Sequence, residues 1–114
     1  MSRTGNAAQK RMAEAAPIFA ALGDATRLRL VTRLCEGGPL SITVLSEGTS
    51  VTRQAITKHL RSLADAGLVR DSWRGRERLW ELEPGRLEKA RGCLDEISAQ
   101  WDAAIGRLKA FVEE

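Results

Sequence analysis

One histidine, two cysteines and three prolines in 114 residues leave little room for several common chemistries. With His59 alone, no Ser/His/Asp set for nucleophilic catalysis can be assembled. Gly23, Gly75 and Gly85 stand as isolated helix or turn punctuation, and no phosphate-binding loop is present. An enzyme is therefore not expected. Cys35 and Cys93 are two soft ligands 58 positions apart with no third in sight, too few for a metal centre, so neither a metal nor a cofactor is expected. No apolar run approaches the roughly 18 residues of a membrane span. The basic residues near the N-terminus are not followed by a hydrophobic stretch, so no signal peptide is expected. Two cysteines in such a chain read as free thiols. A cytoplasmic protein that does not touch membranes follows as the expectation.

What is present fits one small domain over 1–114, with a 43% hydrophobic fraction sufficient for a single core and a size that gains by dimerising. The net charge of +3 is modest, but its placement is not even. Residues 52–78 hold seven Lys or Arg against three acids, a local +4, while residues 79–114 hold five against eight, a local −3. Positive charge gathered on one segment is the footprint expected of a surface for DNA phosphates.

That segment begins with a helix from Thr52 to Gly67. Thr52 can cap its N-terminus, and Gly67 sits where a left-handed residue ends a helix. Ile56, Leu60 and Leu63 fall on one face, with Arg53, Gln54, Thr57, Lys58 and Arg61 opposite. Upstream, Ser41 to Gly48 reads as a short helix, followed by the turn Thr49-Ser50-Val51. A short helix, a tight turn and a longer helix over 41–67 form a helix-turn-helix, whose second helix enters the major groove. Residues 68–83 alternate in two runs around Arg74-Gly75-Arg76, a β-hairpin that carries four arginines and stands where a wing would stand. Trp73 and Trp80 are expected to pack on the domain body or brace this wing, the alternative being a role stacking on bases, with Leu79 and Trp80 on opposite sides of the return strand.

The rest of the chain reads as helix. Residues 1–6 are polar and expected to be disordered. Residues 7–22 predict a first helix, with Met12, Ala15 and Ala16 on one side, broken or kinked at Pro17. Asp24 caps a second helix to about Glu36, with Leu28, Val31, Leu34 and Cys35 predicted as its buried side. From Pro84-Gly85 a last helix runs over 84–113. Its apolar residues Leu87, Ala90, Leu94, Ile97, Trp101, Ala104, Leu108 and Phe111 are spaced alternately by three and four, a coiled-coil-like seam. A helix this long outreaches a core formed by the other elements, so much of its stripe needs a second copy of the chain.

Three stretches carry a resemblance: Ala21-Leu22-Gly23-Asp24-Ala25-Thr26-Arg27-Leu28-Arg29-Leu30, Thr57-Lys58-His59-Leu60 and Leu63-Ala64-Asp65-Ala66-Gly67-Leu68-Val69. In this order they resemble the ArsR-type winged-helix regulators of bacteria. The resemblance implies a mainly α winged helix-turn-helix (four helices, a two-stranded hairpin, a last helix) that dimerises through its first and last helices. Met12 and Phe19 would then join the seam of the last helix. It also implies a homodimeric regulator, a repressor that binds an inverted repeat in double-stranded DNA, its own promoter among the candidates.

On the residues themselves, Arg53 and Gln54 lie in the first turn, suited to pairing with guanine and adenine. Thr57 can meet a thymine methyl or a phosphate, and Lys58, Arg61, Arg74 and Arg76 can hold phosphates. His59 lies beside the buried face, in a packing or phosphate-contact role. Metal-sensing members of the family carry a cysteine pair at the start of the first helix of the helix-turn-helix, or histidines and acids on the last helix. Here Ser41 to Leu45 contains no cysteine, and the last helix has Asp95 and Asp102 but no histidine. Some relatives switch by joining a cysteine on the second helix to one on the last. Cys35 and Cys93 fall on those elements, Cys35 about one turn late, and both also fit as small hydrophobes on apolar helix positions. A winged-helix module that dimerises without binding DNA is the alternative of a different class.

Overall fold

Asp24, Ser41 and Thr52 each cap a helix through their side chains, and they set the frame of the domain. In the computed structural model, which describes residues 3–113, α1 (Arg3–Leu22) is followed by α2 (Ala25–Gly37), α3 (Ile42–Ser46) and α4 (Arg53–Asp65). Asp24 accepts a bond from the Arg27 amide at 3.0 Å, Ser41 from Val44 at 3.3 Å and Thr52 from Ala55 at 3.1 Å. The hairpin β1 (Val69–Arg74) and β2 (Glu77–Leu82) comes next, and α5 (Pro84–Glu113) completes the chain. This is the mainly helical, winged helix-turn-helix arrangement that the sequence pattern predicts.

One core joins the elements. Ile56, Leu60 and Leu63 of α4 are buried against Leu30, Val31 and Leu34 of α2, Ile18 and Ala21 of α1, Leu45 of α3, and Trp80. The chain leaves α4 through Gly67, whose φ of 77° lies in the left-handed region. A Cβ at Gly67 would also approach the Arg86 side chain to 2.9 Å. Strands β1 and β2 pair antiparallel from Val69↔Leu82 to Arg74↔Glu77, leaving Gly75-Arg76 as a two-residue turn, with Gly75 at φ 65°. Leu40 adds a rung to β2: its amide donates to Trp80 O at 2.9 Å and its carbonyl accepts from Trp80 N at 2.8 Å. The base of the wing is thereby tied to the start of α3. Arg29 and Arg33 of α2 donate to carbonyls of Leu45, Glu47 and Gly48, fixing the end of α3.

The radius of gyration is 18.5 Å, against about 13 Å for a compact chain of this length. The 30-residue α5, about 45 Å long, accounts for the difference. It packs on α1, with Arg11–Glu96 (2.8 Å) and Lys89–Glu14 (3.5 Å) across the pair, yet only Ala90 and Cys93 on it are buried.

Several expectations need correction. Residues 3–6 form the first turn of α1 and are not disordered; Met1 and Ser2 lie outside the described residues. Pro17 lies within a continuous α1 that it does not break, its ring exposed on the side away from buried Ala15, Ile18 and Ala21. On α2 the buried residues are Leu30, Val31 and Leu34, whereas Leu28 and Cys35 are exposed. Met12 and Ala16 of α1 are exposed and only Ala15 of that trio is buried. Trp80 packs in the core as expected, with Leu79 buried on the other face of β2, whereas Trp73 is 66% exposed and does not pack on the body.

The cap on α2 gives a pH prediction. The backbone amide of Arg27 holds the Asp24 carboxyl below its ordinary value, with the nearby charge of His59 acting the same way. A lowered native pKa means a contribution that is complete above the ordinary carboxylate range, near pH 4, and is lost as pH falls through the native value. Asp24→Asn keeps an acceptor but cannot titrate. Thermal melts of the two proteins should therefore converge as pH falls below about 4, and a gap that is constant with pH would remove the charged cap.

Candidate nucleic-acid interface

The exposed side of α4 starts with its most donor-rich turn. Arg53 and Gln54 are exposed at the N-terminus, and Thr57 follows one turn later. These three line a groove of about 500 Å³ with Ser41, Ile42 and Thr43 of the α3 start and Arg76, Glu77 and Arg78 of the wing. Arg53 Nη2 donates to Thr43 Oγ1, so its guanidinium is steered over α3. The Thr57 hydroxyl donates to Arg53 O at 2.9 Å, which leaves its methyl group and an oxygen lone pair for a partner.

The arginines of the wing divide into two sets. Arg70 is held by Glu81 at 2.9 Å and Glu83 at 3.0 Å; the bond to Glu81, with the charge of Glu83 beside it, raises its pKa further. Arg78 binds Asp71 at 2.9 Å and lies 4.6 Å from the centre of the Trp80 ring. Arg74 and Arg76, at the tip, are exposed and form no ion pair among the described residues, as is true of Arg53, Lys58 and Arg61. Five unpaired cations on the recognition helix and wing tip make a surface suited to phosphates.

The structure thus brings Arg53, Gln54, Thr57 and Arg76 together. Thr52 serves its own helix as the cap, and Lys58, Arg61 and Arg74 are exposed outside the groove. His59 faces inward, with Nδ1 3.8 Å from Asp24 of the α2 cap. Sequence reasoning missed Thr43 and Arg78. The position of Arg78 was available from the hairpin register, which pairs it with Trp73. Thr43 carried no signal, because nothing in a five-residue helix tells which side meets α4. No group of three or more His, Cys, Asp or Glu gathers as metal ligands among the described residues. No described helix is long and apolar enough to cross a membrane.

A recognition helix with an open, cationic first turn, a preceding short helix and a basic hairpin beside it define a winged helix-turn-helix protein of the DNA-binding kind. A helix-turn-helix domain model matches residues 22–71. Over 85 residues the chain is 38% identical to the HTH-type transcriptional regulator Rv2034 of Mycobacterium tuberculosis, covering 75% of this chain and 76% of that one. It is 32% identical over 78 residues to the arsenical resistance operon repressor of Bacillus subtilis, covering 68% and 71%. Among solved structures, the ArsR-like transcriptional regulator from Rhodococcus sp. RHA1 superposes with a TM-score of 0.69 at 37% identity, over 87% of this chain and 92% of that one. The chain belongs to the ArsR-like family of winged helix-turn-helix transcriptional regulators, DNA-binding proteins and not enzymes.

Proposed function

We propose that the chain is a homodimeric repressor that binds an inverted-repeat operator, its own promoter being the first candidate. The observation that carries this is the groove joining Arg53, Gln54 and Thr57 to Arg76, which opens recognition helix and wing to one surface. In this reading residues 53–61 lie in the major groove, with Arg53 and Gln54 on base edges and Lys58 and Arg61 on phosphates. Arg74 and Arg76 grip the flanking backbone. A twofold dimer presents two such helices about 34 Å apart, one turn of DNA, and so prefers an inverted repeat. Repression follows from excluding polymerase, and relief from a signal that biases the geometry of the dimer. That the Bacillus subtilis relative is a repressor supports the sign of the effect. The thiol-responsive reading draws no support from the surroundings of the two free cysteines, since Cys35 is exposed on α2 while Cys93 is buried on α5.

Fluorescence anisotropy of the reduced, chelator-treated protein on its own upstream DNA, against a scrambled duplex, tests the reading. Preference for the upstream duplex, weakening with salt, is expected. Arg76→Ala should weaken both duplexes alike and lower the salt slope by about one. A variant with the parent's slope would take Arg76 off the phosphates. Absence of any binding at low salt would favour the interaction module.

A further inference from the structure

Trp73 is the large residue of the wing that the fold does not use. The residue is 66% exposed, although burying a side chain of this size is among the larger gains available to a small domain. Position gives the exposure meaning. The register pairs Trp73 with Arg78 and Asp71 with Trp80, so these four share one face of the hairpin. Arg78 is drawn back toward the body by Asp71 and the Trp80 ring, and it lines the groove beside Arg53, Gln54 and Thr57. Trp73 therefore shares the hairpin face of Arg78, in the pair nearer the tip and just outside the groove lining, with the unpaired cations Arg74 and Arg76 following it in the chain.

We propose that Trp73 is a DNA-contacting residue whose indole lies against the deoxyribose of the backbone flanking the recognition helix, its Nε1–H donating to a phosphate oxygen. This rests on the DNA-binding reading above and extends it. Charge complementarity selects the partner: an indole on a wing whose tip carries Arg74 and Arg76, neither in an ion pair among the described residues, suits a polyanion with apolar sugars and not an apolar protein groove. Insertion between bases is not needed, and it would cost the unstacking of a step. A sugar contact is blind to sequence and, being uncharged, releases no counterion.

The test compares the full chain with W73A and W73F on a mixed-sequence duplex at low salt, by anisotropy over a range of salt concentrations. W73A should bind about tenfold more weakly, as for an aromatic anchor in an interface, with the parent's salt slope. W73F should recover most of the loss. The emission contributed by Trp73, taken as the difference between the parent and W73F, should become shielded from acrylamide when duplex is added. Parent-like binding by W73A, or an indole equally quenched with and without DNA, overturns the proposal while leaving the DNA-binding reading in place. A weaker W73A whose salt slope falls by about one also overturns it, since the residue would then act through Arg76. If the parent itself binds no duplex, both readings fall together.

Discussion

Trp101→Asp should leave the protein monomeric. On the exposed side of α5, Trp101, Ala104, Ile105 and Leu108 enclose an apolar hollow of about 240 Å³. Their spacing (i, i+3, i+4, i+7) is that of the four residues that form a hole for the knob of a facing helix. Leu94, Ile97, Trp101, Leu108 and Phe111 are each about half exposed or more, so the stripe is continuous and unpartnered within one chain. Phe19 and Leu87, by contrast, pack on the core of their own chain, and the dimer contact proposed for them can use only their outer edges. An apolar strip along most of a 45 Å helix exceeds what monomers leave in water. In a twofold interface each substitution is felt twice. Placing a carboxylate in each copy should cost about 5 kcal/mol, nearly four decades in the dissociation constant. Sedimentation equilibrium reads this directly, and circular dichroism should be unchanged because Trp101 supports nothing within its own chain. A parent-like mass would show that the stripe is not the interface. Operator affinity should fall with assembly, since a monomer offers one recognition helix instead of two.

The helix-turn-helix was legible because its signals agree. In α4 the buried stripe Ile56, Leu60 and Leu63, the cap Thr52 and the stop at Gly67 all point to the same helix, and the structure has each of them. The misreadings fall where one local signal stood alone. Pro17 removes a backbone donor, but α1 packs on α5 and buries Ala15, Ile18 and Ala21, and that packing sustains the helix through the defect. In α2 the apolar residues Leu28, Leu30, Val31, Leu34 and Cys35 are too many for one face, and only the position of α4 selects Leu30, Val31 and Leu34. Trp73 and Trp80 look equivalent in the sequence. The bridge from Leu40 decides between them: it holds the Trp80 end of the hairpin to the body and leaves the Trp73 end projecting. The cationic face was visible as composition. That Arg70 and Arg78 are neutralised by Glu81, Glu83 and Asp71, leaving Arg74 and Arg76 unpaired, depends on side-chain geometry that no spacing rule encodes.

Arg53→Ala should erase much of the preference for the operator. The residue opens α4, where a helix in the major groove comes nearest the base edges, and its guanidinium is held by Thr43 at the rim of the groove. Loss of a bidentate contact to guanine costs about 1–3 kcal/mol of discrimination per half-site, and both halves of a palindrome lose it. Arg53→Lys separates reading from charge. Lysine keeps the cation, so the salt slope should stay at the parent's value. It lacks the planar fork, so the advantage of operator over scrambled duplex should fall nearly as far as in the alanine variant. Titrations of both variants on both duplexes, at two salt concentrations, give the four numbers needed. If lysine restores the preference in full, Arg53 is a phosphate contact like Arg76, and the reading of sequence falls to Gln54 and Thr57. If lysine restores only the slope, the first turn of α4 reads bases, with its guanidinium held in place through Thr43.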